Sequence, residues 1–123
     1  MEQEIVSAPT APLGNWSATV AFADKSNEAQ LDFEDNGTVR LSSPVSTGEG
    51  TWTQTGDSRF SYRLKEVFNS IPGLPGWVDI EQDAVLTGET FTSSGDSNIW
   101  DVSGNPLATV TAHVSARREG APE

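Results

Sequence analysis

Cysteine is absent from the 123 residues of the chain, and histidine occurs once, at His113. Without cysteine there are no disulfides, no thiolate catalysis and no thiolate metal ligands. A single histidine gives no basis for a Ser-His-Asp triad or a histidine-based metal site. No apolar run approaches the roughly 20 residues of a membrane-spanning helix, and no glycine-rich loop precedes a helical pattern that would bind a nucleotide. We therefore predict a protein with no metal and no cofactor.

Basic residues are scarce. Lys and Arg total 7 against 18 Asp and Glu, and the formal net charge is -11. Nucleic acids and anionic membrane surfaces both need a positive protein surface, so neither is an expected partner. We interpret the excess of acidic residues as a feature that keeps the protein soluble. Met1–Glu4 is acidic and lacks a signal-peptide pattern, which predicts a cytoplasmic protein; a monomer and a homodimer both remain open.

Most of the chain alternates between apolar and polar residues, with Thr, Val, Phe and Trp at period two. This pattern is typical of half-buried strands, and the length fits one domain. We predict a mobile arm over residues 1–12, one β domain over 13–119 and a frayed end over 120–123. The predicted strands cover residues 14–23, 27–34, 38–43, 49–54, 59–69, 77–86, 90–100 and 107–118.

The turns between these strands agree with one inward face. Paired residues of a hairpin point to the same side, so the turn length must match the apolar alternation. Four connections meet this condition and predict the pairs Val20–Ala29, Phe33–Val39, Leu86–Phe91 and Ile99–Ala108. The Gly56-Asp57 turn leaves the register of the fourth strand open. The result favours an all-β, eight-stranded antiparallel up-and-down barrel, because closure removes the exposed strand edges.

Strand six has two possible inward faces. We place Val78, Ile80, Gln82, Ala84 and Leu86 inside, because the opposite face carries three carboxylates that would be costly to bury unpaired.

Glu66 is the most informative polar residue, because it shares the inward face of strand five with Phe60, Tyr62, Leu64 and Phe68. Burial without a cation raises the pKa of a carboxyl, which suits it to acid–base work near neutral pH. We predict Glu66 as the catalytic or ligand-orienting group, with Tyr62 and Gln82 as hydrogen-bonding helpers. The alternative is that these three groups bond each other in a structural network or that Glu66 lies solvated at the rim.

Gly14-Asn15-Trp16 opens the first strand, and Arg117-Arg118 closes the last one. This combination resembles the calycin group of small barrels, which includes lipocalins and fatty-acid-binding proteins. In those proteins a Gly-x-Trp packs beneath an arginine of the last strand and closes one end. The resemblance implies that Trp16 closes one end here and that the other opens into a central apolar pocket.

Glycine and alanine at inward positions favour a real cavity, although a solid core is the alternative. We predict that Trp52 forms a wall of this pocket. The Pro- and Gly-rich segment 69–76 is either a lid over the mouth or a plain hairpin loop. The full set of predicted substrate-binding residues is Phe22, Phe33, Leu41, Trp52, Leu64, Phe68, Ile71, Leu74, Trp77 and Ile80.

The chain lacks the helical flanks and disulfides of secreted lipocalins and looks more like compact bacterial barrels that act on polyketides, such as the spirotetronate cyclases. That resemblance implies a cofactor-independent cyclase or isomerase that closes a ring within a polyketide-like apolar substrate. The alternative is a non-catalytic carrier or self-resistance protein for an apolar metabolite. A third interpretation is a solid-core interaction module.

Overall fold

The computed structural model describes residues 11–22, 25–68 and 76–119. These ranges contain no helix, and hence none long and apolar enough to cross a membrane. The alternation of the sequence produces long strands joined by short turns. The eight strands are β1 (Gly14–Phe22), β2 (Lys25–Phe33), β3 (Thr38–Ser43), β4 (Ser46–Gly56), β5 (Arg59–Phe68), β6 (Trp77–Thr87), β7 (Thr90–Trp100) and β8 (Pro106–Arg118).

The strands form a closed barrel. Each pairs antiparallel with the next, and β8 pairs with β1 from Trp16–Arg118 to Phe22–Ala112. The ring of hydrogen bonds leaves no strand edge unpaired, which removes the usual site of edge-to-edge aggregation. The predicted all-β, eight-stranded antiparallel up-and-down barrel is therefore confirmed.

Three of the four predicted hairpin registers are confirmed, namely Phe33–Val39, Leu86–Phe91 and Ile99–Ala108. The β1–β2 register is wrong by two residues, because Ala29 pairs with Ala18 instead of Val20. Lys25, predicted as a turn residue, belongs to β2 and pairs with Phe22. A shift of two residues keeps every side chain on its face, so the apolar alternation cannot detect it.

The β4–β5 register, which the sequence left open, pairs Trp52 with Tyr62 and is irregular between Gln54 and Gly56. Two glycines permit unusually close strand contacts. A Cβ on Gly50 would lie 1.9 Å from the carbonyl oxygen of Arg63, and a Cβ on Gly95 would lie 1.9 Å from that of Glu81. Only glycine fits such an approach. These two positions were expected to leave interior space, but they serve the close packing of neighbouring strands.

One half of the barrel interior is solidly packed with aromatic side chains. Phe33 contacts Phe60 and Tyr62 at ring-centroid distances of 5.4 Å and Phe91 at 5.9 Å, all edge to face. This geometry is the favourable one for aromatic pairs. The other buried residues of this core include Trp16, Val39, Leu31, Leu64, Ala84, Leu86, Val114 and Ala116.

The outer boundary of this core is the Trp16–Arg118 arrangement that the calycin resemblance implied. Trp16 is 0% exposed, and its ring lies 4.5 Å beneath the guanidinium carbon of Arg118. Its indole nitrogen donates to the carbonyl of Pro12 at 2.8 Å, and Arg118 donates to the carbonyl of Leu13. Pro12, assigned from the sequence to the N-terminal arm, is itself buried here. This end of the barrel is closed.

Candidate functional site

The opposite half of the interior holds a cavity of about 520 Å³. This volume lies within the range of roughly 300–1,000 Å³ that is usual for small-molecule sites. Most of its wall is apolar, as expected for inward-facing strand residues away from the aromatic core. The lining residues are Val20, Phe22, Ser26, Asn27, Glu28, Ala29, Leu41, Ser43, Pro44, Val45, Glu66, Phe68, Val78, Ile80, Ser97, Ile99, Val110 and Ala112.

The strand topology shows which end of the barrel carries the cavity. Trp16 lies near the start of β1, so the closed end carries the starts of the odd-numbered strands and the ends of the even-numbered ones. The β3–β4 hairpin lies at the other end, where Pro44 and Val45 of its turn line the cavity. The cavity therefore lies at the end where β5 ends, and Glu66 lies in this half of the barrel.

Five of the predicted site residues line this cavity: Glu66, Phe22, Leu41, Phe68 and Ile80. Phe33, Leu64 and Trp52 do not, because they pack in or against the aromatic core. Trp52 faces inward but lies toward the closed end, where its indole nitrogen donates to the carbonyl of Glu34 at 2.8 Å. Trp52 was predicted to form a wall of the pocket, but it does not line this cavity. Ile71 and Leu74 lie outside the described residues.

Trp77 is also outside the cavity lining. The inward face of β6 is the predicted one, with Val78, Gln82, Ala84 and Leu86 buried, and Trp77 is on the opposite face. There it stacks on Trp100 at 5.8 Å, with the Lys65 ammonium 4.8 Å from its ring. This aromatic pair therefore belongs to the outer surface of the barrel.

A chain of hydrogen bonds ends on Glu66. The hydroxyl of Ser46 donates to Glu66 Oε2 at 2.5 Å, and the Ser43 and Ser46 hydroxyls are 2.6 Å apart. The backbone N–H of Val45 donates to Ser43 Oγ at 3.2 Å. Ser43 therefore donates to Ser46 whenever Ser46 donates to the carboxylate, and all donors point toward Glu66. Sequence reasoning missed both serines, because the β4 register was open and nothing placed Ser46 beside Glu66.

Burial dominates the electrostatics of Glu66. It raises the pKa of the carboxyl, and the hydrogen bond from Ser46 offsets part of that increase. Within the described ranges no basic side chain forms an ion pair with Glu66. The cavity thus contains one half-buried carboxyl whose neutral form is favoured relative to a carboxyl in water.

The raised pKa predicts a characteristic pH dependence for Glu66→Gln. Between the ordinary pKa of 4.5 and the raised one, folded protein binds more protons than unfolded protein, so wild-type stability falls as pH rises. The glutamine side chain does not titrate, so the variant should gain stability over wild type through that window, by about 1.4 kcal/mol per unit of pKa increase. Urea unfolding from about pH 4 to pH 9 measures this difference.

The control for this prediction is Glu81→Gln, which removes one negative charge from the exposed outer face. For each variant, the difference in free energy of unfolding from wild type is plotted against pH. If this difference changes with pH equally in Glu66→Gln and Glu81→Gln, a specific contribution of Glu66 is contradicted.

Tyr62 and Gln82 are held in a separate network. Tyr62 donates to Ser93 across 3.0 Å, Ser93 donates to Gln82 Oε1 at 2.7 Å, and Gln82 Nε2 donates to the carbonyl of Ala112 at 3.3 Å. Burial raises the pKa of Tyr62, which keeps the phenol protonated. On β6, Gln82 stands between Ile80 of the cavity wall and Ala84 of the core. Tyr62 and Gln82 therefore belong to a structural hydrogen-bond network, which was the alternative to a helper role, and neither lines the cavity.

Two other depressions lie on the outer face of the barrel. One of about 660 Å³ is bordered by polar residues of β1 to β5, including Asp32, Arg40 and Glu49. The other, of about 530 Å³, lies beside Gly95 and is bordered by residues that include Tyr62 and Gln82. Most of the residues that border these depressions are charged or polar. The interior cavity is therefore the better candidate for a ligand site.

Within the described ranges, no group of three or more His, Asp or Glu side chains is placed to hold a metal ion. Comparison with known proteins adds no relative: no family model, no curated protein and no solved structure matches this chain. The protein is a closed eight-stranded antiparallel β-barrel with one closed end and one apolar interior cavity, an architecture consistent with the calycin-like barrels.

Proposed function

We propose that this protein binds a small apolar molecule inside the barrel. The observation that carries the proposal is the interior cavity of about 520 Å³ with a largely apolar wall and a single half-buried carboxyl. Pockets of this size and composition are the usual sites of small-molecule binding, and barrel mouths are among their preferred locations. Because one fold serves many functions, the support comes from the cavity and not from the barrel itself.

The driving force for binding would be burial of apolar surface, worth about 25 cal/mol per Å² removed from water. Side chains such as Val78, Ile80 and Ile99 lie on the barrel wall, where the strand ladders restrain their backbone. A largely preformed site loses less conformational entropy on binding. These features support a carrier or sequestering protein for an apolar metabolite.

A second candidate is a cofactor-independent cyclase or isomerase, and the Ser43–Ser46–Glu66 chain favours it. A carboxyl of raised pKa at the wall of an apolar cavity can donate a proton to a carbonyl that activates a ring closure. An enclosed pocket can also hold reacting ends together, a contribution of up to roughly 7–11 kcal/mol. Glu66 is the catalytic candidate that remains, since the polar atoms of Tyr62 and Gln82 are bonded to each other through Ser93.

The test is native mass spectrometry of the purified protein, followed by denaturing extraction and analysis of the small molecules released. We expect the folded protein to capture an apolar molecule, such as a polyene or polyketide, from a cell extract. Recovery of that molecule unchanged after incubation supports the carrier. A change of retention time at constant mass, slowed in Glu66→Gln, supports the cyclase or isomerase.

The proposal also has an outcome that would contradict it. If no extract yields a bound species and the neutral fluorescent probe N-phenyl-1-naphthylamine does not bind, the ligand-binding proposal is wrong. A protein–protein interaction module would then be the better interpretation.

A further inference from the structure

The charges at the cavity are all of one sign. The chain has seven Lys and Arg side chains, all within the described ranges, and none of them lines the cavity. One carboxyl faces it, that of Glu66, because Glu28 borders the cavity but its exposed carboxylate accepts a hydrogen bond from Thr19 on the outer face. His113, the single histidine, is exposed on the outer face of β8. A ligand in the cavity therefore meets the carboxyl of Glu66 and no basic side chain of the lining.

The basic residues are held elsewhere on the barrel. Lys65 packs over Trp77 on the outer surface, and Arg63 lies 3.5 Å from Glu81 there. Arg118 covers the closed end. Lys25 is the exception, because it pairs with Phe22 and so shares the inward face at the cavity end of the barrel, although it is exposed and outside the cavity lining. An anionic head group beside Glu66 would thus find no basic side chain in the cavity lining to neutralise it.

Hydrogen-bonding capacity in the cavity is also unbalanced. Ser46 occupies Oε2 of Glu66, while Oε1 has no hydrogen-bond partner within the described ranges. Ser97 is 5% exposed and lines the cavity, and its hydroxyl makes no side-chain hydrogen bond to any described residue. A ligand that covers this oxygen without donating to it would leave a carboxyl oxygen unsatisfied, which is costly. A ligand that brings a donor to Glu66 avoids that cost.

We propose that the cavity selects apolar molecules whose polar group is a hydrogen-bond donor, either a hydroxyl or an amine, and rejects carboxylates of the same size. The inference rests on the proposed ligand-binding function and names the class of ligand. A hydroxyl or ammonium donates to Glu66, whereas a carboxylate places a second negative charge beside it in a site of low dielectric. Like charges placed together in this way are strongly unfavourable.

The experiment compares decanol, decylamine and decanoate as competitors of N-phenyl-1-naphthylamine bound to the wild-type protein at about pH 8, where decanoate is ionised. The three competitors share one apolar chain and differ in the head group. We expect decanol and decylamine to displace the probe, and decanoate to require a concentration at least about tenfold higher than decanol.

Two variants locate the source of the selectivity. Glu66→Gln removes the negative charge and keeps an oxygen that accepts from Ser46, so the decanoate-to-decanol ratio should move toward unity. Glu81→Gln removes the same charge from the outer face and should keep the wild-type ratio.

The outcomes separate the two proposals. If decanoate and decanol displace the probe equally well, the proposed ligand class is wrong. The proposed function is still supported in that case, because the probe binds. If neither the probe nor any molecule from a cell extract binds, the proposed function and the ligand class are both wrong. Equal loss of selectivity in both variants overturns the assignment to Glu66, because overall charge would then be the cause.

Discussion

Trp16→Ala is expected to lower the free energy of unfolding by about 3–5 kcal/mol, the usual cost of truncating a buried tryptophan. Trp16 is fully buried, and its ring meets Phe91 edge to face at 4.9 Å. The substitution also removes the hydrogen bond to Pro12 and the cation–π contact with Arg118, each worth about 1 kcal/mol. The barrel would lose the closure of one end.

Urea unfolding followed by far-ultraviolet circular dichroism measures this loss. The matched control is Trp77→Ala, since Trp77 is half-buried on the outer face and packs on Trp100. We expect a clearly smaller loss of stability in the control, because the Trp77 ring is already partly exposed to solvent and its removal takes away less buried apolar surface. Equal losses in the two variants would contradict the role of Trp16 as the closure of the core.

Ala29→Phe is expected to weaken binding of N-phenyl-1-naphthylamine by at least about 100-fold, which corresponds to about 2.7 kcal/mol. Ala29 lies on β2 opposite Ala18, faces the interior and lines the cavity. A phenyl group at this position would occupy the space that we assign to the ligand. Because it enters open volume instead of a packed core, we expect at most a modest change in thermal stability.

The control is Ala21→Phe. Ala21 stands on the outer face of β1 between Ser26 and His113, so the same phenyl group is added without entering the cavity. Fluorescence titration should give wild-type affinity for this control. Binding that survives in Ala29→Phe would place the probe outside the barrel, for example in one of the outer depressions.

Much of the fold could be predicted from the alternation of residues. The two faces of β6 were distinguished by the cost of burying Asp79, Glu81 and Asp83, and the structure has the predicted face inside. Short turns at residues 35–37 and 88–89 determined two registers, because a short connection allows few pairings. The β1–β2 slip of two residues escaped detection, since it leaves every side chain on the same face.

The candidate site could be predicted only in part. Phe68 and Trp52 both face inward, yet Phe68 lines the cavity while Trp52 packs against Phe33 at 6.2 Å. Period-two alternation tells which side chains face inward but not how far along the barrel axis each one lies. The alternation likewise grouped Tyr62 and Gln82 with Glu66. In the structure, Tyr62 and Gln82 both bond to Ser93 instead.

The sequence by itself determined the strands, their inward faces, the excess of acidic groups and the inward position of Glu66, because these properties depend on local alternation and composition. Only the tertiary structure decided which inward side chains line the cavity, that Ser43 and Ser46 meet Glu66, and that no basic side chain lines the cavity. The physical reason is that these features depend on long-range pairing. The register of β4 on β5 and the closure of β8 on β1 arise from contacts between residues far apart in the chain.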